Sequence, residues 1–230
     1  MVDSPPSQEW RIAVGNDTTT ALFEPAPTSS RGALFVFAHG AGGHRADRGM
    51  AALAALLHRR GVDTVRFNFF YRERGSGRPD RMPQLQECVA AVAARAREEV
   101  EPGLLIIGGR SMGGRAASML AADGFACDGL LLLAYPLHPA GQAEKLRDAH
   151  LSRINVPVLC LNGTRDALCQ RELMDEAVRA LSRTWTIHWL EGADHAFHVT
   201  KASGRTDADV LREIGAAVEQ WVAVLSARRS

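Results

Sequence analysis

Beyond residue 30 the chain alternates short, continuous apolar runs with longer stretches in which apolar residues recur every three or four positions. The runs are Ala33–Ala38, Leu104–Ile107, Gly129–Tyr135 and Pro157–Leu161, and Val62–Phe69 and Trp185–Leu190, although interrupted by polar residues, also read as strands. A strand that is apolar at successive positions is covered on both faces, which happens when helices flank a parallel sheet. The helical periodicity falls between the runs. Met50–Arg60 carries Leu53, Leu56 and Leu57 on one face and stops at Gly61, and Arg81–Val100 carries Leu85, Val89 and Val92. Ser111–Ala122 is a helix of small residues, Lys145–Ile154 a short one and Arg171–Ser182 another. Asp209–Leu225 closes the series with Val210, Leu211, Ile214, Val218 and Trp221 on its inner face. The pattern predicts an α/β fold: a doubly wound, mostly parallel sheet between helices, with antiparallel strands before residue 30. No repeat or low-complexity tract divides residues 1–230, so the chain reads as one domain, with Pro25–Ser30 as a turn between strands. Only Ala140–Asn155 separates the strand ending near Tyr135–Pro139 from the next one, which leaves room for a short helix and none for a cap domain.

Composition narrows the function classes. Hydrophobic residues make up 46% of the chain and charged residues 23%, enough apolar surface to offset the entropy of ordering. A net charge of +1 argues against a nucleic-acid partner, since neutralising phosphates needs a basic excess. Lys145 and Lys201 are the only lysines among 27 basic residues, a bias of composition rather than of chemistry. No apolar run approaches the ~18–20 residues that span a bilayer, and Met1–Trp10 lacks a signal-peptide pattern. Cys88, Cys127, Cys160 and Cys169 are scattered, with no C-x-x-C. These features lead us to expect a cytoplasmic protein, monomeric or homodimeric, that binds neither membrane nor nucleic acid.

In doubly wound sheets chemistry gathers in the loops at the carboxyl ends of the strands. Three such loops carry reactive side chains. Gly109-Arg110-Ser111-Met112-Gly113 follows the run Leu104–Ile107 and opens a helix. It matches G-x-S-x-G, a sharp strand-to-helix turn that exposes a serine hydroxyl and has no room for a Cβ at its flanking positions. The helix N-terminus beneath it favours a developing anion. Asp166 follows the run Pro157–Leu161 after a glycine-bearing turn, where a carboxylate can orient an imidazole. His195 follows Trp185–Leu190 in Glu191-Gly-Ala-Asp-His195-Ala-Phe-His198, and an imidazole titrates near working pH. His198 competes as the base and Asp194 as the acid. His195 is preferred for its nearness to the strand end, and Asp166 because an acid adjacent to its histidine rarely points at it. The order Ser111, Asp166, His195 is the order this fold requires for nucleophile, acid and base.

A fourth loop, His39-Gly-Ala-Gly-Gly43, lets backbone N–H groups approach a substrate oxygen, so the expected oxyanion hole pairs the Met112 amide with that of Ala41. No Gly-Lys-Ser/Thr follows it, which argues against a phosphate-cradling loop. His39 and His44 are expected to be structural or surface residues. The predicted chemistry is acyl transfer to water from a small-molecule ester or thioester, with no metal and no organic cofactor.

Together these residues resemble the α/β-hydrolase superfamily over nearly the whole chain. His39-Gly-Ala-Gly-Gly43, Arg66-Phe-Asn-Phe69, Gly108-Gly-Arg-Ser-Met-Gly-Gly-Arg115 and Tyr135-Pro-Leu-His-Pro139 narrow the likeness. They are similar to the small hydrolase-like family of the testis-expressed protein and the third subunit of the NSL histone-acetylation complex. The resemblance implies the same fold and Ser-Asp-His site, and no substrate. Some members of that family serve in assemblies, so a non-catalytic interaction module is one alternative to an esterase, and among enzymes the alternative is a thioesterase or acyltransferase. Phe70 stands where that family's pattern has a proline. Arg110 fills the variable position of the turn, where it either pairs with a buried carboxylate or contacts an anionic substrate. Tyr135 and His138 are candidate substrate contacts beside a strand end, or else turn residues beside Pro136 and Pro139.

Overall fold

The computed structural model describes residues 6–27, 32–181 and 184–229, and the last three residues of the Pro25–Ser30 stretch lie outside these. Strands β1 (Gln8–Val14) and β2 (Asp17–Glu24) form an antiparallel hairpin, with Val14 opposite Asp17. The turn between them needs a left-handed residue, and Gly15 supplies it at φ 56°. Strand β3 (Ala33–Ala38) follows, then helix α1 (Arg48–His58), strand β4 (Val62–Phe67), a single helical turn α2 (Phe70–Glu73) and helix α3 (Met82–Val100). Strand β5 (Leu104–Arg110) leads into α4 (Met112–Ala122), and β6 (Gly129–Leu133) is followed by β7 (Val158–Gly163) and α5 (Arg171–Arg179). Strand β8 (Trp185–Leu190) and the long helix α6 (Asp207–Ala227) complete the order.

All eight strands join one sheet in the order β1-β2-β4-β3-β5-β6-β7-β8, parallel from β4 to β8 and antiparallel where β2 meets β1 and β4. The alternating side-chain direction of a strand sorts β3 between two cores. Leu34, Val36 and Ala38 pack on the face covered by α3, α4 and α5, with Val89, Val92, Ala116 and Met174. Ala33, Phe35 and Phe37 pack on the opposite face against α1 and α6, with Leu53, Leu57, Ile214 and Val218. The fold is the expected doubly wound sheet. Among the described residues no helix is long and apolar enough to cross a membrane.

Two expectations change. The predicted helix Lys145–Ile154 is mostly irregular, with one 3₁₀ turn at Leu151–Arg153. The reason is local: the Arg147 amide donates to the Leu137 carbonyl at 2.7 Å and its own carbonyl accepts from the Tyr135 hydroxyl at 2.8 Å. A backbone spent on tertiary partners is not free to build a helical ladder. Strand β6 ends at Leu133 rather than Tyr135, because Ala134 turns the chain through a left-handed conformation at φ 52°. The segment from β6 to β7 therefore crosses the carboxyl edge of the sheet without forming a cap.

Candidate active site

The G-x-S-x-G turn is as tight as its glycines require. Ser111 sits at φ 51°, ψ −117° between the end of β5 and the first turn of α4, a conformation that costs a non-glycine residue on the order of 1–3 kcal/mol. Backbone bonds on both sides hold it: its amide donates to the Leu133 carbonyl at 2.9 Å, and its carbonyl accepts from the Arg115 amide at 3.0 Å. A Cβ on Gly109 would lie 2.3 Å from the Ala38 carbonyl oxygen, and one on Gly113 would lie 2.6 Å from that of His39. Both obstacles are backbone, so β5 and α4 can approach β3 this closely only with hydrogen at those positions.

The carboxylate arrives from the end of β7. Asp166 has a fully buried side chain. Its Oδ1 accepts from the Leu168 amide at 2.8 Å, and its Oδ2 accepts from the Asn162 side-chain amide at 3.4 Å. Asn162 is itself clamped, donating to the Tyr135 carbonyl and accepting from the Tyr135 amide, each at 3.0 Å. The sequence signal for Asn162 is a polar residue directly after the apolar run Pro157–Leu161, and the G-x-S-x-G and strand-end patterns do not single it out.

His195 stands at the tip of a tight loop after β8. Asp194 closes that loop, its Oδ1 accepting from the Ala196 and His198 amides at 2.8 and 3.0 Å. Phe197 takes a left-handed conformation, φ 63°, and is buried. This loop presses on the loop after β7: a Cβ on Gly163 would lie 2.1 Å from the Ala193 carbonyl, and the Arg165 amide donates to that same oxygen at 2.9 Å. The two loops bring imidazole and carboxylate together. His195 Nδ1–H donates to Asp166 Oδ2 at 2.8 Å, which leaves Nε2 to accept from the Ser111 hydroxyl at 2.9 Å. The competitors are engaged elsewhere, Asp194 within its loop and His198 with the exposed Asp207 at 3.0 Å.

Ser111 and His195 border a cavity of about 490 Å³, with Ala41, Asp47, Arg110 and Leu168 among its walls. The His39–Gly43 loop leans on the turn, and a Cβ on Gly40 would stand 3.6 Å from the Cβ of Ser111. The amides of Ala41 and Met112 have no protein acceptor among the described residues, and Met112 is the first residue of α4, where helical amides are unpaired by geometry. His39 fixes this loop from below. Its Nδ1–H donates to the Gly40 carbonyl at 2.8 Å and its Nε2 accepts from the Phe69 amide at 3.2 Å. Burial pushes its pKa down to about 4, so the neutral ring serves as a clip.

Three sequence-predicted residues are placed differently from at least one of the readings offered. Tyr135 is buried, with its hydroxyl on the Arg147 carbonyl, and His138 is buried between the Pro139 carbonyl at 2.9 Å and the Gln170 amide at 3.1 Å. Neither borders the cavity; they brace the segments behind Asp166, because the left-handed bend at Ala134 turns the chain under the β7 loop. Arg110 does border the cavity. Among the described residues it makes no salt bridge, so the buried ion pair is not what holds it. A further Ser–His contact, Ser118 Oγ to His150 Nε2 at 2.8 Å, lies inside the protein. Ser118 also donates to the Arg115 carbonyl, and burial holds the His150 pKa at about 4. No carboxylate hydrogen-bonds that imidazole among the described residues, and we read the pair as structural.

The comparisons with known proteins agree with this architecture. Residues 31–223 match the alpha/beta hydrolase domain family model, and the chain belongs to that family. Its structure is similar to that of an alpha-beta serine hydrolase homologue from Coxiella burnetii, with a TM-score of 0.73 at 19% identity over 93% of this chain and 96% of that one. It is similar also to an α/β serine hydrolase without lid from Xanthomonas campestris, with a TM-score of 0.75 at 20% identity over 96% and 97% of the two chains. A dienelactone hydrolase from Anabaena variabilis superposes with a TM-score of 0.75 at 16% identity over 95% and 97%. At these identities the likeness is one of fold.

Proposed function

We propose that this protein is a serine hydrolase that cleaves a small ester or thioester through an acyl-enzyme on Ser111. The observation that carries the reading is the unbroken chain of hydrogen bonds from the Ser111 hydroxyl through His195 to Asp166, at 2.9 and 2.8 Å. As the Ser111 oxygen bonds to the substrate carbonyl carbon, its proton passes to His195 Nε2. The buried Asp166 carboxylate stabilises the imidazolium. The amides of Ala41 and Met112 receive the oxyanion. His195 then returns the proton to the departing alcohol or thiol as its bond to the acyl carbon breaks. Water enters, gives a proton to His195 and frees the acid, and Ser111 recovers its hydrogen.

The open cavity and the irregular, capless crossing from β6 to β7 support a small or exposed acyl group. The segments similar to the testis-expressed and NSL-subunit family support the same Ser-Asp-His assignment and leave the substrate to experiment. Incubation with a fluorophosphonate probe tests the reading. Wild type labels at Ser111 and hydrolyses short p-nitrophenyl esters, whereas Ser111→Ala does neither. An unlabelled wild type assigns the chain to the non-catalytic alternative, and acyl-CoA turnover exceeding that of p-nitrophenyl esters assigns it to the thioesterases.

A further inference from the structure

Arg110 is the residue of the site that the acyl-transfer chemistry leaves unexplained. It stands next to the nucleophile, half-buried, in the wall of the same cavity. Its guanidinium donates a hydrogen bond to the His195 carbonyl at 3.1 Å and rests over the Phe197 ring, 5.9 Å from the centroid. Its remaining side-chain donors have no acceptor among the described residues. The carboxylates that influence it are Asp194, Asp47 and Asp166, and none lies within salt-bridge distance. Each is occupied. Asp194 accepts the amides of its own loop, Asp47 accepts the His44 amide at 2.8 Å and faces the His44 ring at 3.0 Å, and Asp166 holds His195. A partly desolvated cation with unused donors is costly until an anion completes it.

We infer that Arg110 is the recognition site for a carboxylate carried by the substrate, so that the enzyme prefers monoesters of short dicarboxylic acids over neutral esters. This rests on the serine-hydrolase reading for turnover, but the binding it describes does not need Ser111 to be the nucleophile. The planar fork of a guanidinium fits a carboxylate with two parallel bonds. Three neighbouring acids disfavour a dianion, so a single negative charge suits the place better than a phosphate.

The experiment compares 4-nitrophenyl hydrogen glutarate with its methyl ester, 4-nitrophenyl methyl glutarate, in wild type, Arg110→Gln and Arg110→Lys. Charge-assisted hydrogen bonding predicts a wild-type preference of roughly ten- to hundredfold in kcat/KM for the anionic ester. Arg110→Gln brings the ratio to about one and Arg110→Lys restores part of it. A residue that merely positions the His195 loop would slow both esters together and leave the ratio alone, and that outcome overturns the inference. Should Arg110→Gln fail to fold, the wild-type ratio decides, and a value near one overturns it. Binding is read separately with glutaramate, the half-amide of glutaric acid and a monoanion, which should raise the Tm of wild type and of Ser111→Ala but not of Arg110→Gln. Equal shifts in all three, or none, overturn the proposal whatever fluorophosphonate labelling says about Ser111.

Discussion

The ring of His195 stands 2.9 Å from the hydroxyl of Ser111, although 84 residues separate them. Neither is placed by its own segment alone. Ser111 is fixed by a strained turn between β5 and α4, and His195 by a hairpin that leans on the loop after β7. Removing the third member tests whether this contact acts as a relay. Asp166→Asn should lower kcat on the order of 10⁴-fold, because an amide in that position favours the wrong imidazole tautomer. Steady-state kinetics with a short p-nitrophenyl ester check it, and circular dichroism should show an intact fold.

Asn162 should matter through Asp166. Asn162→Leu keeps the volume but strands the Tyr135 amide, leaves the Tyr135 carbonyl with the Leu137 amide alone, and removes one bond to Asp166. We expect a stability loss of about 1–3 kcal/mol by urea denaturation, with kcat falling more steeply than KM changes. A loss of stability with unchanged kcat would show that Asp166 holds its position without this neighbour.

The oxyanion hole is tested at the backbone. Replacing the Ala41 amide by an ester, with lactic acid incorporated at that position, deletes one N–H and leaves the side chain. kcat should fall about 10²–10³-fold with little change in KM. An unaltered kcat would move the second donor to another amide of the His39–Gly43 loop.

Gly109→Ala should prevent stable folding or remove at least about 3 kcal/mol of stability, beyond ordinary overpacking, since its Cβ would meet the Ala38 carbonyl at 2.3 Å. Gly124→Ala is the control for backbone strain without collision: it also has a left-handed φ, 95°, but no atom lies within 4 Å of its Cβ. Thermal denaturation of the two variants should separate them clearly.

Stability should fall on acidification before the carboxylates titrate. His39 is neutral when folded and has a pKa of about 4 there, against 6.5 when exposed. Between pH 6.5 and 4 the unfolded chain binds the extra proton, so stability rises with pH through that window and is lost as pH falls through it. For His39 the loss is on the order of 3 kcal/mol at the acid end. Urea denaturation at pH 7.5, 6, 5 and 4.5 should show a shallower slope in His39→Asn, where no proton is taken up, than in wild type.

The periodicity of apolar residues was enough for the doubly wound sheet, because strands buried on both faces and helices buried on one leave different imprints on a chain. It was enough also for the candidate triad, since each member follows a strand and the turn around Ser111 needs glycines that the sequence displays. Other features depend on partners that no local pattern records. Lys145–Ile154 has helical spacing, yet Tyr135 and Leu137 take the Arg147 backbone first. Asn162 looks like the polar end of a strand until Tyr135 and Asp166 appear beside it. Tyr135 and His138 look available until the bend at Ala134 carries them inside. For Arg110 the chain alone offers both an ion pair and a substrate contact and favours the ion pair. Only the folded arrangement shows the nearby acids already bound to their own loops, because hydrogen-bond partners are distributed by proximity in space and not by order in sequence.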